Sequence, residues 1–211
     1  MRLDGVKILI TAGPTKEKWD TVRYLTNRSS GRTGLSIAKK ACEKGALVTV
    51  VSCMEEHDVP GVKHVHAESA ADMYTAVRDI IKDFRIFISA AAVCDFKPVA
   101  VNGKIKKRSG VPVIKLERTV DILEWAGRET EGKVIVGFSL SDSIDIENGQ
   151  KKMKDKNCSI MVVNDTSNMG SSQRKTFVLI SGTDREEYND LSLDETAEVI
   201  LKKCEVLLEK S

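Results

Sequence analysis

The segment Val6-Lys-Ile-Leu-Ile-Thr11, close to the N-terminus, decides the fold class of this 211-residue chain. It is a short apolar run with β-branched residues, which is typical of a strand buried on both faces of a sheet. A helical pattern follows over Gly31–Glu43, with apolar residues on one face and Gly45 as a stop signal. A second strand-like run, Leu47–Ser52, begins directly afterwards. This order of strand, helix and strand predicts a parallel βαβ unit.

The same alternation continues towards the C-terminus. Four more runs have the length and composition of buried strands: Ile86–Ala91, Val134–Phe138, Ile160–Val163 and Thr176–Ser181. Ser69 and Ser192 each begin a capping-box pattern, with Asp72 and Glu195 three residues later, and these patterns predict two further helix starts. We therefore expect one α/β domain over residues 1–211, Rossmann-like, with a mainly parallel sheet and helices on both faces.

The composition limits the functions that the chain can have. Its net charge is only +2, and 30% of its residues are charged, so the overall charge does not indicate binding to nucleic acid or a membrane. The five cysteines are widely spread and include no Cys-x-x-Cys pair, which argues against a disulfide framework or a zinc site. The first strand-like run is too short and too early for a signal peptide. We expect a soluble, cytoplasmic protein.

Two polar stretches, residues 13–30 and 95–110, are too long for ordinary turns and are candidate binding loops. In the first, Asn27–Gly34 brings glycines and hydroxyl groups to the start of a helix, where free N–H groups and the helix dipole attract phosphate. Gly31 and Gly34 would equally serve close packing of the helix on a strand. The spacing fits neither the dinucleotide-binding pattern nor the P-loop, so the glycines alone leave both interpretations open.

A second candidate is Ala90–Phe96, at the end of a predicted strand. Its small side chains would let a planar ligand approach the backbone. Asp95 would then accept hydrogen bonds from a base or ribose, or help to hold a metal ion. The alternative is an ordinary aspartate at the start of a loop.

The third candidate is Lys104-Ile-Lys-Lys-Arg108, with four cations in five residues. Such a run would neutralise a triphosphate or pyrophosphate, although a solvated surface or a nucleic-acid patch has the same charge. Few aromatic residues lie nearby, which weakens the nucleic-acid interpretation. Lys152 and Lys156 share one face of a short predicted helix, so they either reach anionic oxygens together or face solvent.

Taken in order, five motifs of the chain resemble those of phosphopantothenoylcysteine synthetase, especially its bacterial and archaeal form. They are Val22–Gly31, Ala91–Phe96, Lys104–Lys107, Val136–Phe138 and Asn164-Asp165. The resemblance implies a two-step ligase of coenzyme A biosynthesis. In the first step 4'-phosphopantothenate and CTP give an acyl-cytidylate and pyrophosphate, and in the second the amino group of cysteine displaces CMP. It also implies Mg²⁺ as a cofactor, because the triphosphate charge must be offset.

The resemblance also implies roles for individual residues, but none for a metal ligand. The catalytic residues are Asn27, Lys104 and Arg23. The substrate-binding residues are Arg23, Asn27, Ser29, Ser30 and Gly31. The nucleotide-binding residues are Ala92, Asp95, Lys104, Val120, Asp121, Ile122, Leu123, Phe138, Lys152 and Lys156. Asn27 and Arg23 would hold the phosphopantothenate and the acyl-cytidylate, whereas Lys104 would stabilise charge while the amine of cysteine attacks.

Partners follow from the same resemblance. The related synthetases are dimers with sites close to the subunit interface, so we expect a homodimer. The family is often fused behind a flavin-dependent phosphopantothenoylcysteine decarboxylase domain. Because no such domain precedes Met1, we expect either a free-standing synthetase or a separate half that associates with a decarboxylase.

The chain departs from the family pattern at two places. Ser139-Leu-Ser-Asp142 follows Phe138 where two small residues and a glutamate are common, and Val120 replaces a common proline. An ATP-dependent form of the same ligase stays open, because CTP use rests on the lysine motif. A Rossmann-type NAD(P)-dependent oxidoreductase is disfavoured, since the chain has no Tyr-x-x-x-Lys pair and Ser52, not an acid, ends the second strand. A non-catalytic nucleotide-binding or nucleic-acid-binding module is the third class.

Overall fold

A computed structural model describes residues 3–54, 59–106, 111, 113–168 and 174–210. The strands are β1 (Lys7–Ala12), β2 (Lys16–Lys18), β3 (Tyr24–Thr26), β4 (Leu47–Ser52), β5 (Lys63–His66), β6 (Ile86–Ser89), β7 (Phe96–Pro98), β8 (Leu116–Arg118), β9 (Val134–Ser141), β10 (Ile160–Asp165), β11 (Arg174–Ser181) and β12 (Asp184–Ser192). The helices are α1 (Arg32–Glu43), α2 (Ala70–Ile80), α3 (Ile122–Glu129), α4 (Ile146–Asp155) and α5 (Leu193–Leu208). Short 3₁₀ turns cover Ile81–Asp83 and Thr166–Asn168.

Eight strands form one sheet in the order β12-β11-β10-β9-β6-β1-β4-β5. The strands from β10 to β5 are mutually parallel, and β11 and β12 extend the sheet as antiparallel strands. The predicted Rossmann-like fold with a mainly parallel sheet is therefore confirmed. The strand order reverses between β1 and β6, and open α/β sheets bind ligands in the crevice at such a point.

Helices cover both faces of the sheet because its strands present apolar side chains on both sides. On one face, α1 and α5 pack on residues such as Ile10, Val136 and Leu179. On the other face, α2 and α3 pack on Phe87 and its neighbours, and α4 covers the part of the sheet formed by β10 and β11. Both predicted capping boxes are present, at Ser69 for α2 and at Ser192 for α5.

The sequence patterns missed the smaller and more exposed elements. The polar stretch 13–30 contains the hairpin β2–β3, and β7, which pairs with β8, begins the stretch 95–110. The charged strand β12 is also an unpredicted element, and it lies at the edge of the sheet. Edge strands and three-residue hairpins bury few side chains, so they lack the apolar runs by which buried strands are recognised.

Candidate active site

A cleft of about 820 Å³ lies at the carboxyl ends of β6 and β9, beside the N-terminus of α1. It brings together thirteen of the residues for which the resemblance implied roles: Asn27, Ser29, Ser30, Gly31, Ala92, Asp95, Val120, Asp121, Ile122, Leu123, Phe138, Lys152 and Lys156. These residues come from distant parts of the sequence. They converge where the strand order reverses, which is the expected position of a ligand site in this fold.

Asn27 lies directly after β3 and is fixed against the end of β6. Its Nδ2 donates hydrogen bonds to the carbonyl oxygens of Ala92 and Val93, at 3.1 and 3.2 Å. The backbone N–H of Ala92 donates to Gly13 at 2.8 Å, so the loop after β1 is held at the same place. The amide nitrogen of Asn27 is thus engaged, and its Oδ1 remains to accept a hydrogen bond from a ligand.

The N-terminus of α1 has the features of an anion site. Gly31 is the N-cap at φ 71°, and the first turn contains no acidic residue. The positive φ of Gly31 favours glycine, and a Cβ here would lie 2.4 Å from the end of the Met54 side chain, which would have to move. Gly34 serves packing instead, because a Cβ there would approach the Cβ of Ala12 to 2.8 Å. The two interpretations of the glycines therefore apply to different residues.

Asp121 organises the side of the cleft formed by α3. It is the N-cap of that helix, and its Oδ1 accepts a hydrogen bond from Glu124 N at 2.9 Å. Its other oxygen, Oδ2, accepts from Lys156 Nζ at 2.6 Å. Lys156 is therefore held by an ion pair across the cleft wall, whereas the partly buried Lys152 lies one helical turn earlier on α4. The predicted shared face of the two lysines is present at the cleft.

Arg23 and Lys104, both assigned catalytic roles by the resemblance, are not among the residues that line this cleft. Arg23 packs over the ring of Trp19, and its guanidinium donates to the carbonyl oxygen of Ile105 at 3.0 Å. Lys104 is exposed on the neighbouring segment. Lys107 and Arg108 of the predicted basic run lie outside the described residues. The structure thus places Arg23 in contact with the segment of Lys104 and Ile105, called the lysine segment below. Neither Arg23 nor Lys104 lines the cleft of its own chain.

Asp20 connects the hairpin β2–β3 to the lysine segment. Its buried carboxylate accepts hydrogen bonds from the backbone N–H groups of Val22, Arg23 and Ile105, at 2.8, 2.8 and 3.2 Å. Burial alone would raise the pKa of Asp20, but these backbone hydrogen bonds and the charge of Arg23 hold it below its ordinary value. The contacts with Val22 and Arg23 are local, whereas Ile105 is brought to Asp20 only by the fold, so the sequence patterns gave no sign that this residue joins the two segments.

The inner end of the cleft contains residues that the sequence patterns missed, among them Lys175 and Thr196. Asn164 also lines the cleft; it belongs to one of the five motifs, but the resemblance implied no role for it. Lys175 is only 8% exposed, and burial lowers the pKa of its ammonium group. Among the described residues that line the cleft, Asn164 has a buried Oδ1 without a hydrogen-bond partner. Each such group costs about 1–3 kcal/mol unless a ligand or water satisfies it. On β11, Lys175 shares one face with the buried Phe177 and Leu179. The period-two pattern of the strand therefore predicts that the side chain of Lys175 points inward.

His64 has a structural role at the edge of the sheet. His64 Nε2 lies 2.7 Å from Ser52 Oγ, which links the edge strand β5 to β4. Within the part of the chain that the structure describes, no three His, Cys, Asp or Glu residues form a group suited to a metal ion. All five cysteine thiols are free.

Residues 3–207 match the family described as DNA/pantothenate metabolism flavoprotein C-terminal domain. The chain belongs to this family. It is 39% identical over 173 residues to the coenzyme A biosynthesis bifunctional protein CoaBC of Bacillus subtilis, a match covering 80% of the chain and 42% of that protein. It is 35% identical over 205 residues to the CoaBC of Borreliella burgdorferi, covering 95% of the chain and 52% of that protein. The chain thus spans about half the length of these curated relatives.

Solved structures agree with this assignment. The crystal structure of the C-terminal domain of CoaBC is 36% identical, with a TM-score of 0.86, and the match covers 99% of the chain and 98% of that domain. A mutant of Cab2 in complex with phosphopantothenate-cysteine shares the fold at 17% identity and a TM-score of 0.77, covering 100% of the chain and 90% of that protein. The predicted region of phosphopantothenoylcysteine synthetase type is confirmed. No helix among the described residues is long and apolar enough to cross a membrane.

Proposed function

We propose that this family member joins 4'-phosphopantothenate to cysteine in coenzyme A biosynthesis, through an acyl-cytidylate formed from CTP. The observation that carries the proposal is the convergence of Asn27, the α1 N-terminus and the loop of Val120–Leu123 in one cleft. The names of the bifunctional relatives support the pathway, and the CTP-dependent mechanism is our inference from the motifs. Amide formation with CMP and pyrophosphate as products is the reaction to be tested.

In the proposed reaction, residues of the cleft would contribute to both half-reactions. Backbone N–H groups in the first turn of α1 would stabilise negative phosphate oxygens while the carboxylate attacks the α-phosphate. Asn27 Oδ1, fixed through its amide nitrogen, would orient the activated acid beside Ala92. Apolar walls from Leu123 and Phe138 would shield the mixed anhydride from water until the amine of cysteine reaches it.

Mg²⁺ fits this cleft as an ion that enters with the nucleotide. Proteins usually bind Mg²⁺ through one or two carboxylates together with substrate phosphates, and an all-protein cage is not needed. Asp121 is engaged with Lys156 and with the start of α3, so the exposed Asp95 is the carboxylate that we propose for this role. When bound, the ion would offset the charge of the triphosphate.

We also propose a homodimer, in which Arg23 and Lys104 act on the cleft of the partner copy. Both belong to segments that lie beside exposed apolar side chains, and a chain with such a surface commonly buries it against another copy. The exposed apolar residues of the pairs β2–β3 and β7–β8 and of their flanks include Val22, Tyr24, Leu25, Phe96, Val99, Val101, Ile114 and Leu116. A dimer through this surface gives a reason why the two cations lie outside their own cleft. Association with a flavin-dependent decarboxylase is supported by the bifunctional relatives.

The test supplies CTP, Mg²⁺, 4'-phosphopantothenate and cysteine and measures CMP, pyrophosphate and the amide product. A parallel reaction with ATP decides the nucleotide. If no amide forms with either nucleotide, the ligase proposal is wrong; if ATP supports a faster reaction, the choice of CTP is wrong. NAD(P) binding is not expected. The residue at the end of β4 is Ser52, which is hydrogen-bonded to His64, and not the aspartate or glutamate that would accept a hydrogen bond from a ribose hydroxyl.

A further inference from the structure

The cleft extends beyond the residues that the motifs identify, to an inner end between α5 and the strands β10 and β11. Phe138, Phe177 and Val162 form apolar walls there, and Asn164 and Lys175 are polar residues among them. Asn164 lies opposite Phe177 in the antiparallel pair, and Lys175 is two residues from Phe177 along β11. Because alternate residues of a strand share a face, Asn164 and Lys175 are neighbours on the same side of the sheet.

The backbone at Lys175 is held firmly in place. The adjacent Arg174 donates hydrogen bonds from Nε and a terminal nitrogen to both carboxylate oxygens of Asp190, at 2.9 and 2.8 Å. The pairing of β11 with β12 shifts register between Lys175 and Phe177, and Asp190 adopts a positive φ of 55° at this irregularity. The extra residue of this bulge lies in β12, so β11 keeps its regular alternation and Lys175 faces the same side as Phe177. The buried lysine is therefore part of the cleft wall.

An anion that enters a ligand cleft stabilises a buried ammonium group in the wall of that cleft. Burial lowers the pKa of Lys175, and a bound anion would oppose that shift. The hydroxyl of Thr196 donates to the carbonyl oxygen of Ser192 at 2.8 Å. Its proton is therefore already used, and Thr196 lines the cleft without donating to a ligand. The buried Oδ1 of Asn164 needs a donor, such as a hydroxyl or an amide N–H of the ligand.

From this geometry we propose that Lys175 binds a phosphoryl group at the inner end of the cleft, while Asn164 accepts a hydrogen bond from a neighbouring hydroxyl or amide of the same ligand. The nucleotide and 4'-phosphopantothenate both offer this combination, and the two sources are separated by the test. This inference rests on the proposed function, since it assigns one more binding residue to the same cleft.

The test is calorimetric titration, without turnover, of the unsubstituted chain, Lys175→Met, Lys175→Arg and Lys133→Met. Lys133 is the matched control, because it is also partly buried but bonds to the carbonyl oxygens of Lys82 and Phe84, away from the cleft. The ligands are CTP, inorganic pyrophosphate, 4'-phosphopantothenate and pantothenate. We expect Lys175→Met to weaken at least one phosphorylated ligand about tenfold, as for loss of a charge-assisted hydrogen bond. Lys175→Arg should retain most of the affinity, and pantothenate binding should not change.

The ligands that weaken identify the source of the phosphoryl group. Loss of CTP and pyrophosphate binding indicates the nucleotide, and loss of 4'-phosphopantothenate binding alone indicates the other substrate. Thermal unfolding of each variant is measured beside the titrations, and if Lys175→Met does not fold, Lys175→Gln takes its place. Unchanged affinity of the variant for every phosphorylated ligand overturns this inference alone. If the unsubstituted chain binds none of them, the inference and the proposed function both fail.

Discussion

Asn27 Nδ2 donates hydrogen bonds to the carbonyl oxygens of Ala92 and Val93, at 3.1 and 3.2 Å. This contact fixes the side chain that we assign to the activated acid against the backbone that we assign to the nucleotide. The two substrate sites are therefore joined by one amide group, and its replacement should change both the position of the loop and the handling of the intermediate.

Replacing Asn27 by aspartate should lower the rate of amide formation on the order of a hundredfold, as for loss of one oriented polar group in an active site. The substituted carboxylate would face two carbonyl oxygens and repel the phosphates of the acyl-cytidylate. Steady-state kinetics with CTP and cysteine varied separately measures the effect. Asn157→Asp is the matched control, because Asn157 Nδ2 donates to the Gly127 carbonyl oxygen at 2.8 Å and is not a cleft residue. An unchanged rate for Asn27→Asp would remove Asn27 from its proposed role.

Gly31 is expected to tolerate no side chain. In Gly31→Ala, the positive φ and the contact of the new Cβ with Met54 should together cost about 2–4 kcal/mol of unfolding free energy. Gly182→Ala is the control, because Gly182 has φ 61° but no atom within 4 Å of the position that its Cβ would take, so only about 1–2 kcal/mol should be lost. Urea unfolding gives both values, and pyrophosphate titration should show weaker binding in Gly31→Ala alone. Equal losses of stability in the two variants would contradict the packing at Gly31.

The local sequence patterns predict the sheet and most of its helices, and the reason is physical; the residues of the cleft were assigned by the family resemblance. Buried strands and capping boxes such as Ser69 with Asp72 are local patterns, and parallel strands bring their carboxyl ends to one edge. The role that we propose for Arg23 would depend on its position relative to a partner copy, which no local pattern contains. The contact between Asp20 and Ile105 joins segments far apart in the sequence, so it becomes visible only in the folded chain.

The apolar surface of the hairpins is expected to hold the homodimer together. Val22→Glu would place a carboxylate on that surface, where Val22 is now 60% exposed, and should give a monomer with greatly reduced ligase activity. Leu47→Glu is the control, because Leu47 is 56% exposed at the start of β4, away from the hairpins, and should leave the dimer intact. Sedimentation velocity measures the oligomeric state. A monomeric unsubstituted chain with full activity would refute both the dimer and the role of Arg23 in the partner's cleft.

Asp20 should make the hairpin and the lysine segment sensitive to acid. The pKa of its carboxyl in the folded chain lies below the ordinary value of 3.8, so its stabilising effect is complete above pH 3.8 and is lost as the pH falls through the lower folded-state pKa. Asp20→Asn should therefore be less stable than the unsubstituted chain near neutral pH, and the difference should shrink below pH 3.8. Urea unfolding at several pH values tests this dependence.

Asp72→Asn is the control for Asp20→Asn, because hydrogen bonds from Ser69 also lower the pKa of Asp72, but this residue caps α2. Both variants should show the acid dependence, whereas only Asp20→Asn should slow the capture of the acyl-cytidylate by cysteine, since it releases the backbone of Ile105 next to Lys104. Equal rates of that step in the two variants would show that the attachment of the lysine segment to Asp20 has no part in catalysis.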